Sequence, residues 1–162
     1  MAWAVIGYNY KSPLYFVSYE GEGKGFTQEK YAAQILRGPL RELFSQPGDF
    51  FCVEDSSSVH GKTNTRRNRG LCNAGRLECH INSIWWPPNS PELNPIENIW
   101  RILKQRLRNR NPHGGWVLSD LQSAMLDIWE NEISIDLINA QIDLIPERLA
   151  KVRMRKGGPS GW

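Results

Sequence analysis

"PPNSPELNPIENIW", residues 87–100, is the stretch on which the reading of this chain turns. Three of its first five residues are prolines, whose locked φ and missing N–H resist both a helix interior and a sheet ladder. The stretch then passes directly into a helix with clear start signals. Asn94 suits the N-cap, Pro95 the first helical position, and Glu97 the third, where a carboxylate can close a capping box. Ile96, Ile99, Trp100, Leu103 and Leu107 continue as one apolar face. Glu97, Arg101, Lys104 and Arg108 follow at steps of four, three and four, and so share the other face. A carboxylate thus heads a stripe of three cations. Helix capping, with an exposed Glu97–Arg101 pair contributing about 0.3–0.5 kcal/mol, is one account of it. Metal-dependent chemistry on nucleic acid is the other.

Outward from this helix, "HINSIWWPP" reads as a short strand stopped by Pro87 and Pro88, with Trp85 and Trp86 as core and rim packing. Further back, "DFFCVEDSSSVHGK" begins with a continuous apolar run, Phe50 to Val53, the pattern of a central strand buried on both faces. Glu54 and Asp55 follow at once, then a polar loop containing His60. Sites in α/β proteins form beyond the carboxyl ends of such strands, where Asp55 stands. A turn residue is its bland reading, and a loop or supporting role that of His60. The opening "MAWAVIGYNYKSPLYFVSYE" predicts two strands, Ala2 to Tyr8 and Leu14 to Tyr19, around a turn at Asn9 to Pro13, and the chain starts inside the first of them. After "GEGKGF", Thr27 is an N-cap for an apolar stripe of Tyr31, Ile35, Leu36, Leu40, Leu43 and Phe44, interrupted at Gly38-Pro39. "KTNTRRNRGLCNAGRL" reads as a short, irregular helix.

Beyond residue 112, Ser119 with Gln122 predicts a capping box, Ser134 opens a further helix, and Pro146 starts or kinks the last. The order is a β-rich opening, strands alternating with helices, and a helical end, which fits an α/β fold with a mixed sheet. At 162 residues this is one domain, with residues 1–112 as its α/β part and 113–162 as its helical part. No apolar run approaches the ~20 residues that span a bilayer, so no membrane partner is implied. Cys52, Cys72 and Cys79 lack paired spacing and read as reduced, mostly buried thiols of an intracellular protein.

Charge is segregated. The net charge is only +3, yet Lys62 to Arg69 holds four bases, Arg101 to Arg110 five, and Lys151 to Lys156 four, without an acid in any of them. Asn111 to Glu147 holds seven acids and no Lys or Arg. Such a chain presents one surface to a polyanion and turns another away. Two carboxylates on rigid elements, Asp55 and Glu97, beside such a surface suit a hard cation, which takes oxygen ligands and is commonly held by one or two carboxylates plus substrate phosphates. Two ions about 3.5–4 Å apart then activate the attacking oxygen and stabilise the leaving one.

"SPELNPIENIWRILKQRL" resembles the signature of the mariner-type DDE transposases, the DDE superfamily endonucleases, in which "SPDLNPIE" leads into the helix of the third catalytic acid. That acid maps to Glu97. The family's second acid lies in a pattern like "DNAxxH", here "EDSSSVH", which maps to Asp55 and His60. "IPERLAKVRMRKGG" resembles the family's C-terminal helix and paired glycines. The similarity runs along essentially the whole chain and is nearest to fungal members.

The resemblance implies a ribonuclease-H-like fold, two magnesium or manganese ions, and cleavage and strand transfer of DNA phosphodiesters during transposition and integration. Asp55 and Glu97 are then catalytic metal ligands, with His60 supporting Asp55. Arg66, Arg67, Arg69, Arg101, Lys104 and Arg108 are expected nucleic-acid contacts. The implied partners are DNA, as transposon ends and target, with a homodimer open to the assembly, and the implied residence is nuclear. Serines replace the family's "NAP", and Glu92 stands where Asp is usual. The family's first acid lies on a strand preceding the hairpin that opens this chain. The expectation is therefore a domain truncated at its N-terminus, lacking the first strand and one of three acids, with little or no strand transfer by itself. A non-catalytic nucleic-acid-binding transposon relic is the alternative.

Overall fold

Residues 2–16 close on themselves as an irregular hairpin. In the computed structural model, β1 (Ala2–Trp3) pairs antiparallel with β4 (Tyr15–Phe16), and β2 (Ile6–Gly7) with β3 (Tyr10–Lys11). Ala2 faces Phe16 but Ile6 faces Lys11, so the register slips by one residue between the two ladders. Ser12 and Pro13 hold the extra residue, which makes this a β-bulge. At the bulge the Ser12 hydroxyl accepts from the Val5 amide at 2.8 Å while donating to the Pro13 carbonyl, so a side chain replaces a ladder acceptor. The turn sits at Tyr8 and Asn9, Asn9 taking the left-handed region (φ 57°) that asparagine tolerates. It is therefore tighter than the turn predicted over Asn9 to Pro13. Tyr10 and Lys11 prefer the ladder because their β-partners lie opposite.

The structure describes residues 1–17, 25–61, 70–84, 86–87 and 90–157, which pack as two compact units. One is Met1–Phe16 with Pro91–Trp162, the other Val17–Ser90. Ser18 and Tyr19 of the predicted second strand, the basic run 62–69, Trp85 and Gly158 lie outside the described residues.

In the first unit, α4 (Pro95–Arg110) presents Ile99, Leu103 and Leu107 to a core completed by Ala4 and Leu14 of the hairpin and by Ile128, Trp129, Ile133 and Ile138. This is the apolar face that the spacing predicts. α5 (Leu118–Asp127) runs into a π-helical turn, Ile128–Glu132, followed by α6 (Ile135–Asp143) and α7 (Ile145–Met154). The Ser134 hydroxyl caps α6 by accepting from Leu137 N at 3.2 Å. The capping box predicted from Ser119 and Gln122 does not form: α5 starts two residues earlier than that box requires, after an extended Val117, and Ser119 Oγ bonds Asp120. Lys11 tethers the hairpin to the π-helical turn, its ammonium donating to the carbonyls of Trp129 (2.7 Å) and Ile133 (2.9 Å). A cation at a helix C-terminus satisfies carbonyls that lack intrahelical partners.

In the second unit Thr27 caps α1 (Gln28–Tyr31) as predicted, its Oγ1 accepting from Lys30 N. The helix continues as π-helical Ala32–Leu40 and α2 (Arg41–Phe44), kinked at Gly38 (φ −105°, ψ −114°), next to Pro39. Its stripe of Tyr31, Ile35, Leu36, Leu40 and Leu43 is buried. α3 (Leu71–Glu78) is a regular helix that packs so closely on it that a Cβ at Gly75 would lie 3.1 Å from Leu36 Cδ1. β5 (Cys52–Val53) and β6 (Ser83–Ile84) pair parallel. The strand expected to be buried on both faces is not. Phe51 is 64% and Val53 38% exposed, because among the described residues β5 has β6 as its one ladder partner. Cys72 and Cys79 are buried free thiols and Cys52 is half-buried. With two antiparallel ladders and one parallel ladder among the described residues, and these helices, the chain is a mixed α/β fold. No helix among the described residues is long and apolar enough to cross a membrane.

Candidate functional site

Glu97 lies in the first turn of α4, where the sequence puts it, but it caps nothing. A capping box needs its carboxylate on the Asn94 amide. That amide instead donates to the Pro91 carbonyl at 3.0 Å, inside the 3₁₀ turn Pro91–Leu93 that the prolines build. Asn94 alone performs the cap, its Oδ1 accepting from Ile96 N. Nor does Arg101 pair with Glu97, since its guanidinium donates to Asn98 Oδ1 at 2.9 Å. The Glu97 side chain is exposed and engages no hydrogen bond or ion pair among the described residues. Both bland accounts of this carboxylate fail. The turn before it is bolted from α7, where buried Arg148 donates to the Glu92 carbonyl (3.3 Å) and to Gln141 Oε1 (2.9 Å).

The bases of α4 divide into two sets. Arg106 and Arg110 pair with Glu132 and Arg110 also with Asp127 (2.6 Å), so they clamp α4 to the acidic helices. Arg101, Lys104 and Arg108 are exposed on Glu97's face and meet no acid among the described residues. The three thus share one exposed face, and of the clamp residues Arg106 lies between Lys104 and Arg108 in sequence while Arg110 follows Arg108. Arg66, Arg67 and Arg69 fall outside the described residues.

Asp55 follows β5, and strand alternation turns its side chain outward while sending Glu54 inward. Its Oδ1 accepts from the Ser57 amide at 2.9 Å and lies 2.7 Å from His60 Nδ1. The structure therefore brings two of the predicted residues, Asp55 and His60, together. Both belong to the unit Val17–Ser90, whereas Glu97 belongs to the other. Among the described residues no group of three or more His, Cys, Asp and Glu side chains gathers where it would hold a metal ion.

Sequence reasoning missed the residues beneath Asp55. Glu54 is 6% exposed and takes a two-pronged bond from Arg76, Nε to Oε2 at 2.8 Å and Nη2 to Oε1 at 3.0 Å. Tyr31 Oη donates to the same Oε1 at 2.5 Å. Arg76 also reaches the His60 carbonyl (2.6 Å) and Asn73 Oδ1 (3.0 Å). Burial pushes the Arg76 pKa down, but the bonds and charge of Glu54 outweigh it and hold the guanidinium above its usual value. A signal was available: Cys72, Gly75, Arg76 and Cys79 stand at the spacing of one buried helix face, and a buried arginine requires a partner.

Burial, then the Glu54 charge, raises the Tyr31 phenol well above its ordinary 10.0. A raised folded value stabilises fully below the unfolded pKa, and that contribution is lost as pH climbs from about 10 through the folded value. Urea midpoints of the wild type are therefore expected to fall more steeply above pH 10 than those of Tyr31→Phe. Parallel curves would contradict this.

The mixed α/β chain thus sets one acid beside a histidine just after a strand and another, exposed, at a helix entrance beside cations. Residues 2–114 match the DDE superfamily endonucleases, and the chain belongs to that family. Its homology is to transposases of the mariner and Tc1 type. The transposable element Tc3 transposase of Caenorhabditis elegans is 27% identical over 164 aligned residues, covering all of this chain and 45% of that protein. The Tcb2 transposase of Caenorhabditis briggsae is 32% identical over 84 residues, covering 51% of this chain and 29% of that protein. The Tc1 transposase of Caenorhabditis elegans is 33% identical over 76 residues, covering 45% and 25%. The chain thus spans less than half the length of these relatives.

Proposed function

We propose that this chain is the later part of a ribonuclease-H-like catalytic domain of a mariner-type transposase, nearest in kind to fungal members. In the intact protein it serves DNA phosphodiester cleavage and strand transfer. Residues 1–112 form its α/β part and 113–162 its helical part. Asp55 and Glu97 are its second and third acids. Each is a ligand for magnesium or manganese in the intact protein, and the first acid is not assigned to any of these 162 residues. The chain alone is accordingly expected to transfer strands at background level.

The observation that carries the reading is Glu97: an exposed carboxylate, relieved of capping by the Pro91 carbonyl, in a chain of this family. The donor chemistry fits, since carboxylate oxygens suit a hard cation that completes its shell with water and phosphate. When bound, such a cation supplies Lewis-acid activation for displacement at phosphorus. The chain's own residues do the rest. Ser57 N and His60 orient the Asp55 carboxylate, the proline-built turn fixes Glu97, and Arg101, Lys104 and Arg108 hold DNA phosphates by charge. Transposon ends and target DNA are the partners, a homodimer is the assembly compatible with them, and the nucleus is the place of action.

Manganese binding followed by electron paramagnetic resonance tests this. Asp55→Ala and Glu97→Ala are each expected to abolish binding, while Glu97→Gln shifts folding stability by no more than about 0.5 kcal/mol, as for a surface change. Manganese retained by both alanine variants, together with unaltered DNA binding, would establish the non-catalytic relic instead. DNA affinity is expected to fall with salt, each phosphate contact contributing about 0.9 to the log–log slope. Replacing Arg101, Lys104 and Arg108 together by alanine should reduce that slope by about 2.7. Arg110→Ala should lower stability instead and leave the slope nearly unchanged.

A further inference from the structure

Below Asp55 lies a buried polar cluster that plain stability does not explain. A buried ion pair regains in attraction roughly what it loses in desolvation, so apolar side chains of similar volume would serve the core as well. Glu54 and Arg76 nonetheless stand there, 6% exposed each, with fully buried Tyr31 bonded to Glu54. The surplus donors of the guanidinium lead out of the cluster, one of them 2.6 Å from the His60 carbonyl.

Two further contacts and a turn hold His60. Its amide donates to the Ser57 carbonyl (3.0 Å), its ring packs on Tyr31 at 4.6 Å between centroids, and Gly61 turns the chain away with φ 64°. With carbonyl, amide and ring all held, Nδ1 is left aimed at Asp55 Oδ1. Tyr31 and Arg76 therefore reach the same histidine from two sides, and Glu54 joins them to each other.

We propose that Tyr31, Glu54 and Arg76 are positioning residues that hold the loop 55–60 in the shape that presents the Asp55 carboxylate, Arg76 acting through the His60 carbonyl. The proposal rests on reading Asp55 as a metal ligand. Supporting partners of this kind alter metal affinity by about 10–100-fold in other sites.

The test replaces Glu54→Leu and Arg76→Met together, which removes both charges at similar volume and strands neither in the core. Two amides are followed by hydrogen exchange. Ser57 N–H, bonded to Asp55 Oδ1, reports the loop, and Cys79 N–H, bonded to the Gly75 carbonyl, reports the unit. Cys79 is expected to stay protected while Ser57 exchanges about tenfold faster and manganese affinity falls about tenfold. Unchanged Ser57 exchange in a folded double variant overturns the proposal. Should that variant not fold, Arg76→Lys decides: it keeps the charge beside Glu54 but lacks the fork that reaches Glu54 and His60 at once. It is expected to reproduce the loss at Ser57, and wild-type exchange there overturns the proposal equally. Manganese binding that survives Asp55→Ala defeats the metal reading alone, since Ser57 exchange still reads the loop without any metal.

Discussion

Arg76→Met is expected to destabilise the unit Val17–Ser90 by about 3–5 kcal/mol, the usual result of removing one partner of a buried ion pair. Glu54 would keep the Tyr31 hydroxyl but lose both guanidinium bonds, at a position only 6% exposed. A carboxylate so placed takes up a proton rather than remain charged, so its pKa rises in the folded variant. A raised folded value stabilises below the unfolded pKa, about 4.3 for Glu, and the benefit disappears as pH rises through the folded value. The defect should therefore be smallest near pH 4 and reach its full size at neutral pH. Urea unfolding read at the Cys79 amide measures it. An equal loss at both pH values would mean that the missing bulk, not the stranded charge, is responsible. The Glu54→Leu, Arg76→Met pair should recover part of the loss, since it strands no charge but leaves the buried Tyr31 hydroxyl without its acceptor.

Trp129→Ala is expected to cost the other unit a similar amount, about 3–5 kcal/mol for an aromatic truncated in a packed core. Trp129 is 0% exposed. Its ring stacks on Trp100 of α4 at 5.5 Å and 24°, and Lys11 Nζ lies 5.7 Å from its ring centre. Its indole N–H donates to the Ser12 carbonyl at 2.9 Å, inside the bulge. One side chain thus joins the hairpin, α4 and the π-helical turn, so the cavity left by alanine has walls from three elements and collapses poorly. Trp129→Phe keeps most of the apolar contact but leaves a buried carbonyl without its donor, a loss of about 1–3 kcal/mol. Thermal unfolding of the three proteins should order them wild type, Phe, Ala. A Phe variant as weak as the Ala variant would show that the indole bond outweighs the packing.

Local rules made much of this chain legible. The faces of α4, the caps at Thr27, Asn94 and Ser134, and the break at Gly38-Pro39 depend on neighbours within a few residues, and all occur as read. Long-range pairing was not legible. Nothing near Phe50 to Val53 tells how many neighbours that strand acquires, so its exposed residues were misjudged. Ser119 has a capping residue's chemistry, yet the chain enters α5 two residues earlier, with the extended Val117 as its N-cap.

The candidate site follows the same division. That Asp55 ends a strand, that Glu97 enters a helix and that three cations share its face are consequences of alternation and of 3.6-residue periodicity, and so belong to the sequence. Only the tertiary structure showed that the Pro91 carbonyl takes the amide Glu97 would have capped, and that Arg106 and Arg110 are committed to acids far along the chain. Only there, too, did Arg76 meet Glu54. The physical reason is that hydrogen bonds and ion pairs are competitions between partners. A sequence names the groups that compete, while their distances, which settle the outcome, exist only after folding.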